Sequence, residues 1–134
     1  FLRNSPVAID KIKYNLNMDM IAYPGKKKRL YLAGAKAYQP LAEVINKSVV
    51  QASLCLLSGH NGSGNSYDRR YRIDWRKASD HYPFAKKGIP YLFFSVNDHK
   101  HYHTENDTID KIDPVFYTAA VETIYTTLQL LDDN

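Results

Sequence analysis

The sequence predicts an α/β layer fold. Short apolar segments with two-residue alternation read as strands, and segments with three- and four-residue apolar spacing read as helices. The two kinds alternate along the chain, which is the pattern of a sheet covered by helices.

Residues 1–11 are mixed and polar, contain Pro6, and read as a lead-in loop. Ile12 to Ala22 reads as a strand, with Leu16, Met18 and Met20 on one face and Asn15, Asn17 and Asp19 on the other. Apolar residues close on both sides place this strand inside the sheet. Pro24-Gly25 ends it in a turn, and the basic run Lys26-Lys27-Lys28-Arg29 leads into a second strand, Arg29 to Ala33, stopped by Gly34. Pro40 suits the first turn of a helix, whose apolar face is Leu41, Val44, Ile45, Val49 and Ala52. The only cysteine, Cys55, lies in the apolar stretch Ala52–Leu57 and is expected to be buried and inert.

A glycine- and serine-rich stretch from Ser58 to Ser66 reads as an irregular loop running to about Lys77. Ser79 is placed to cap a helix that Gly88 stops. Pro90 to Val96 is the most apolar strand and the expected sheet centre. A polar loop spans Asn97 to Ile112. Asp113 and Pro114 then cap and open the last helix, with Phe116, Ala120, Ile124, Leu128 and Leu131 as its buried stripe. Three strands make a thin sheet for such a fold. Together with a first residue that is Phe1 rather than Met, this leads us to expect the C-terminal piece of a larger domain, without a linker that would divide it.

Composition narrows the function classes. At 44% hydrophobic and 24% charged residues the chain has the make-up of a globular domain with a core. No apolar run approaches the roughly 20 residues of a membrane helix. The net charge of +4 is mild, and the tyrosines are scattered rather than grouped into a stacking platform, so no nucleic-acid partner is expected. A lone cysteine does not settle the redox compartment.

Four polar clusters stand out. Asp19 lies near the carboxyl end of a strand, the place where open α/β sheets present groups to a ligand. A carboxylate there suits a metal, a catalytic role, or the capping of a neighbouring loop. His99-Lys100-His101-Tyr102-His103-Thr104 directly follows the central strand and so reaches the same sheet edge if the two strands are parallel. Imidazole with carboxylate is the usual donor set of catalytic zinc, although short histidine clusters also occur in plain surface loops. Ser79-Asp80-His81 reads first as a good helix start, and Asp107 to Asp113 as a charged turn before a capped helix.

Taken in order, Asn17-Met18-Asp19-Met20-Ile21, Ser79-Asp80-His81-Tyr82-Pro83-Phe84-Ala85-Lys86-Lys87-Gly88-Ile89-Pro90 and Tyr102-His103-Thr104-Glu105-Asn106-Asp107-Thr108 resemble the co-catalytic zinc aminopeptidases. That family includes bacterial secreted aminopeptidases and is related to glutaminyl cyclases, glutamate carboxypeptidase and the transferrin receptor ectodomain. The resemblance runs from about Asn15 to the end. It implies a three-layer fold, a mixed and mostly parallel sheet with helices on both faces, of which residues 1–134 are the C-terminal part. It implies that Asp19 serves one zinc and His103 the other, with two zinc ions in the full-length parent. The remaining ligands and a general-base glutamate are expected upstream, so no catalytic residue is assigned within the chain. Asp80 and Asp107 match positions expected to brace the site, and Tyr102 and His101 are candidates to touch a peptide substrate.

The resemblance therefore implies hydrolysis of the N-terminal peptide bond by a metal-activated water, with the isolated piece inactive. It also leaves open a non-catalytic binding or assembly domain of the same fold, and a glutaminyl cyclase. A secreted or periplasmic parent is compatible with it. Val96-Asn97 stands where a glycine is common, and His101 where an acidic residue is common; both changes bear on the substrate pocket. An uncovered sheet edge would be expected to pair with a second copy.

Overall fold

The structure is a computed structural model that describes residues 1–34, 38–61 and 73–133. Among the described residues, four strands form one open mixed sheet: β1 (Asn15–Met18), β2 (Arg29–Ala33), β3 (Cys55–Ser58) and β4 (Tyr91–Ser95). Their spatial order is β1-β4-β2-β3. β1 runs parallel to β4 and β2 parallel to β3, while β2 and β4 are antiparallel. Helices α1 (Pro40–Gln51), α2 (Tyr82–Ala85) and α3 (Pro114–Asp132) complete the fold. None of the described helices is long and apolar enough to cross a membrane.

β4 occupies the expected central position, with all five of its residues buried. Its alternating side chains divide the core in two. Leu92, Phe94 and Val96 join Leu30, Leu32 and Leu56 on the face covered by α1 and α3. Tyr91 and Phe93 join Ala33 and Trp75 on the opposite face, where the 3-10 turn Trp75–Lys77 and the short α2 lie. Helical structure thus covers both faces, but unequally.

Several elements depart from the sequence reading. β1 is shorter than Ile12–Ala22: residues 12–14 are irregular, and left-handed Met20, with φ 56, breaks the extended backbone just past its end. It lies at the edge of the four-stranded sheet, paired among the described residues with β4 alone, rather than inside it. Leu16 and Met20 pack against the core as expected, but Met18 is 52% exposed. β3 was not foreseen: Leu56 points into the core while Cys55 is exposed, since four residues are too few to show a period and the thiol falls on the outward face. The Pro24-Gly25 turn joins two strands that are not neighbours, because β4 inserts between them. The expected helix from Ser79 to Gly88 shrinks to α2, and Ser79 does not cap it. The glycine- and serine-rich loop falls mostly on residues 62–72, outside the described residues.

The last helix starts as read. Asp113 accepts a hydrogen bond from the Phe116 amide at 3.0 Å, and Pro114 fills the first position. Its buried stripe is Phe116, Ala120, Thr123, Ile124, Thr127 and Leu131; Leu128 is 51% exposed. Thr127 takes the inward place, and its hydroxyl is satisfied by donating to the Thr123 carbonyl at 2.9 Å, so burial costs it no lost partner. Gly34 closes β2 with φ +107, and a Cβ there would lie 2.1 Å from the Tyr91 carbonyl oxygen. Only glycine permits that approach of β2 to β4.

Candidate functional site

Because β1 and β4 are parallel, their carboxyl ends reach the same rim. The ladder continues past the strands: the Asp19 amide donates to the Phe94 carbonyl at 3.1 Å, and the Val96 amide to the Met20 carbonyl at 3.0 Å. Asp19 therefore stands on the face of Asn15 and Asn17, at the exposed end of the row. It is not desolvated. The Ser79 hydroxyl donates to Asp19 Oδ2 at 2.8 Å, linking residues sixty positions apart. A carboxylate so restrained is positioned rather than merely exposed.

The histidine-rich loop returns to this rim through tight turns. The Tyr102 amide donates to the His99 carbonyl at 3.0 Å and the Thr104 amide to the His101 carbonyl at 3.0 Å. His99 and His101 consequently stay neighbours, with ring centroids 6.2 Å apart, while His103 turns to Tyr102. His99 packs against Tyr23 with ring centroids 4.3 Å apart, and His101 meets the same tyrosine edge-on at 6.1 Å. His103 is exposed and stacks on Tyr102 at 3.8 Å. Tyr102 and Asp19 line one cleft of about 90 Å³, with Trp75, Phe93, Ser95 and Asp98 among its walls. Burial pushes the Tyr102 phenol above its ordinary range, and the Asp98 and Asp19 charges push the same way. Thus Asp19 and the Tyr102–His103 pair come to the same end of the sheet.

Of the four described non-glycine residues with left-handed backbone, Met20, Lys28, His60 and His103, two lie at this rim. Met20, directly after Asp19, has φ 56, and so does His103 itself. Non-glycine residues rarely adopt this left-handed conformation, and such strain gathers at sites of function.

Beneath the rim lies His81, with 0% exposure. Its ring is sandwiched against Tyr91 and Phe93 of β4, 4.5 Å from each. Nε2 lies 2.8 Å from the Trp75 carbonyl, which can only accept, so Nε2 carries the proton. Nδ1 faces the Asn17 amide nitrogen at 3.5 Å, a long contact that suits an unprotonated ring nitrogen. Burial pushes the imidazole below its ordinary pKa and keeps it neutral.

Asp80 and Asp107 sit apart. Asp80 is exposed beside Ser79, and its charge acts on His81. Asp107 lines a different groove, of about 430 Å³, together with Tyr23, His99 and Met20, and its charge acts on His99. Sequence reasoning missed Ser79 as the partner of Asp19, and singled out His81 only as part of a cluster, with no role of its own. The available signal was periodicity: a strand face carrying Asn15, Asn17 and Asp19 needs polar partners, and Ser79 and His81 offer them at the same two-residue step.

Among the described residues, no three His, Cys, Asp or Glu side chains come close enough together to hold a metal ion. The chemistry of Asp19 and His103 nonetheless fits zinc, which takes carboxylate oxygen and imidazole nitrogen. A hydroxyl donating to a carboxylate is also the support that ligating carboxylates receive.

Comparison with known proteins gives a consistent result. The model of the family described as peptidase family M28 matches residues 1–128. No curated protein matches the chain. Among solved structures, it is similar to a zinc aminopeptidase from Bacillus subtilis, with TM-score 0.69 and 19% identity over 93% of this chain and 29% of that one. It is similar also to an aminopeptidase from Aneurinibacillus sp. strain AM-1, with TM-score 0.68 and 20% identity over 95% and 27%. The Legionella pneumophila LapA aminopeptidase follows, with TM-score 0.60 and 14% identity over 86% and 30%. The chain spans under a third of the length of these structures.

Proposed function

The chain belongs to peptidase family M28, and on that premise we propose that it is the C-terminal part of the catalytic domain of a zinc aminopeptidase that removes N-terminal residues from peptides. In this reading Asp19 binds one of two zinc ions and His103 the other. The general-base glutamate and the remaining ligands come from the part of the domain that precedes Phe1. The chemistry that zinc supplies when bound is the polarisation of the scissile carbonyl and the acidification of a water. Ser79 keeps the Asp19 carboxylate aimed, and Tyr102, on the wall of the cleft beside it, contacts the peptide. His101 flanks that contact, while Asp80 and Asp107 brace the site from outside the ligand set.

One observation carries the reading. A hydroxyl-braced carboxylate and a histidine stacked on a cleft-lining tyrosine share one sheet rim, the carboxylate directly before left-handed Met20 and the histidine itself left-handed. The proposed remainder of the domain has a place to dock. A groove of about 790 Å³ runs between the β1 edge and α3, walled by Tyr14, Leu16, Tyr125, Leu128 and Leu131. In the isolated chain the same β1 edge is where a second copy would pair.

The test is metal content. In the full-length parent, Asp19→Ala and His103→Ala should each lose bound zinc and activity; full zinc occupancy with a normal rate in either variant would sink the assignment. The isolated 134-residue chain should not turn over a leucine anilide with added zinc, since two ligands do not complete a catalytic shell.

A further inference from the structure

Nothing in the proposed chemistry uses His81, yet it is the most thoroughly buried titratable side chain near the rim. Its surroundings connect two things that are separate in sequence. On one side it seals its own loop: Nε2–H donates to the Trp75 carbonyl six residues back, closing the segment that carries Ser79. On the other it lies flat on Tyr91 and Phe93 of β4. Those residues pair with Asn15 and Asn17 of β1, so the imidazole sits over the β1–β4 ladder two steps before Asp19. Its Nδ1 then faces the Asn17 amide. His81 and Ser79 are two residues apart on the loop, and Asn17 and Asp19 are two residues apart on the strand. The loop is thus matched to the strand at two successive rungs, His81 on Asn17 and Ser79 on Asp19.

We propose that His81 is a positioning residue: it staples the 75–81 loop to β1 so that the Ser79 hydroxyl meets Asp19 in one fixed orientation. The proposal rests on Asp19 being a zinc ligand. A staple of this kind acts by pre-organisation. Without it, ordering the loop has to be completed at the moment the metal binds, and affinity falls. A phenylalanine in the same slot keeps the aromatic sandwich but forms neither polar link. A glutamine supplies an amide N–H where Nε2 donates, and so restores the link to Trp75. Asn17→Ala cuts only the strand end and leaves the sandwich whole.

The experiment measures zinc affinity by chelator competition in the full-length parent, together with the melting temperature of the metal-free protein. His81→Phe should weaken zinc binding by roughly tenfold, the low end for partners of metal ligands, and His81→Gln should recover part of the loss. Asn17→Ala should weaken binding by a few-fold with its metal-free melting temperature close to that of the parent. If His81→Phe fails to fold, Asn17→Ala decides the matter. Zinc affinity unchanged in Asn17→Ala, or a lower melting temperature with unchanged affinity in His81→Phe, overturns the proposal and leaves His81 a packing residue. Asp19→Ala is the control that separates the two claims. If that variant keeps its zinc, the assignment of Asp19 itself has failed, whatever His81 does.

Discussion

The hydroxyl of Ser79 offers the sharpest handle on the site. Ser79→Ala removes one hydrogen bond to the Asp19 carboxylate, 2.8 Å long in the structure, and little else, because the serine does not cap α2. A hydrogen bond to a charged group contributes on the order of 1.5–3 kcal/mol net. Asp19 is exposed, so water replaces part of the loss and the lower end applies. About 1.4 kcal/mol is a factor of ten in affinity. The variant of the full-length parent should therefore bind zinc roughly tenfold more weakly in a competition titration with a chelator. Ser79→Thr retains the hydroxyl and should stay within about threefold of the parent. The melting temperature of the metal-free protein should barely move, as expected for a surface change. If Ser79→Ala binds zinc as tightly as the parent, the hydrogen bond does not support a ligand and the site has been assembled wrongly.

Three further outcomes follow from packing and charge. Gly34→Ala forces a Cβ to 2.1 Å from the Tyr91 carbonyl at φ +107, and should cost about 3 kcal/mol or more, read as loss of the cooperative melting transition; a normal melt would mean that β2 and β4 do not approach as described. The Lys28 ammonium beside Asp113, and the Phe116 amide, hold the Asp113 carboxyl below its ordinary pKa. Its folded value being depressed, its stabilisation is present above about pH 4 and is lost as pH falls through the folded value. The gap in melting temperature between the parent and Asp113→Ala should therefore be widest near pH 7 and shrink toward pH 2.5, and a gap independent of pH would refute the ion pair. Leu128→Ser should be nearly neutral in the isolated chain, where Leu128 is 51% exposed. It should destabilise the full-length parent, where the groove between β1 and α3 would be filled; equal effects in both would remove the docking proposal.

The elements most legible from sequence were those with strong local signals. α3 was readable at its start because Asp113 and Pro114 perform jobs that need no distant partner, and β4 because a long apolar run has few other destinations. Asp19 and His103 were singled out as candidates from motif order, and the parallel pairing of β1 with β4 brings their segments to one rim. Local pattern failed where two faces compete. Leu128 and Thr127 are adjacent on α3, and which one faces the sheet depends on the rotation of the helix against α1 and β4, not on hydropathy. Cys55 was misjudged for the same reason.

By itself, then, the amino-acid order determined the layer class, the principal helices, the central strand and the identity of the polar residues worth watching. The tertiary structure decided that β1 is an edge and that β4 separates it from β2. It also decided that Ser79 serves Asp19 rather than a helix end, and that His81 is locked beneath the rim. The division follows from range. Backbone caps and side-chain periods act over a few residues and are written in the chain. Strand order, register and a hydrogen bond across sixty positions depend on which distant surfaces bury best against each other, and no local pattern contains that comparison.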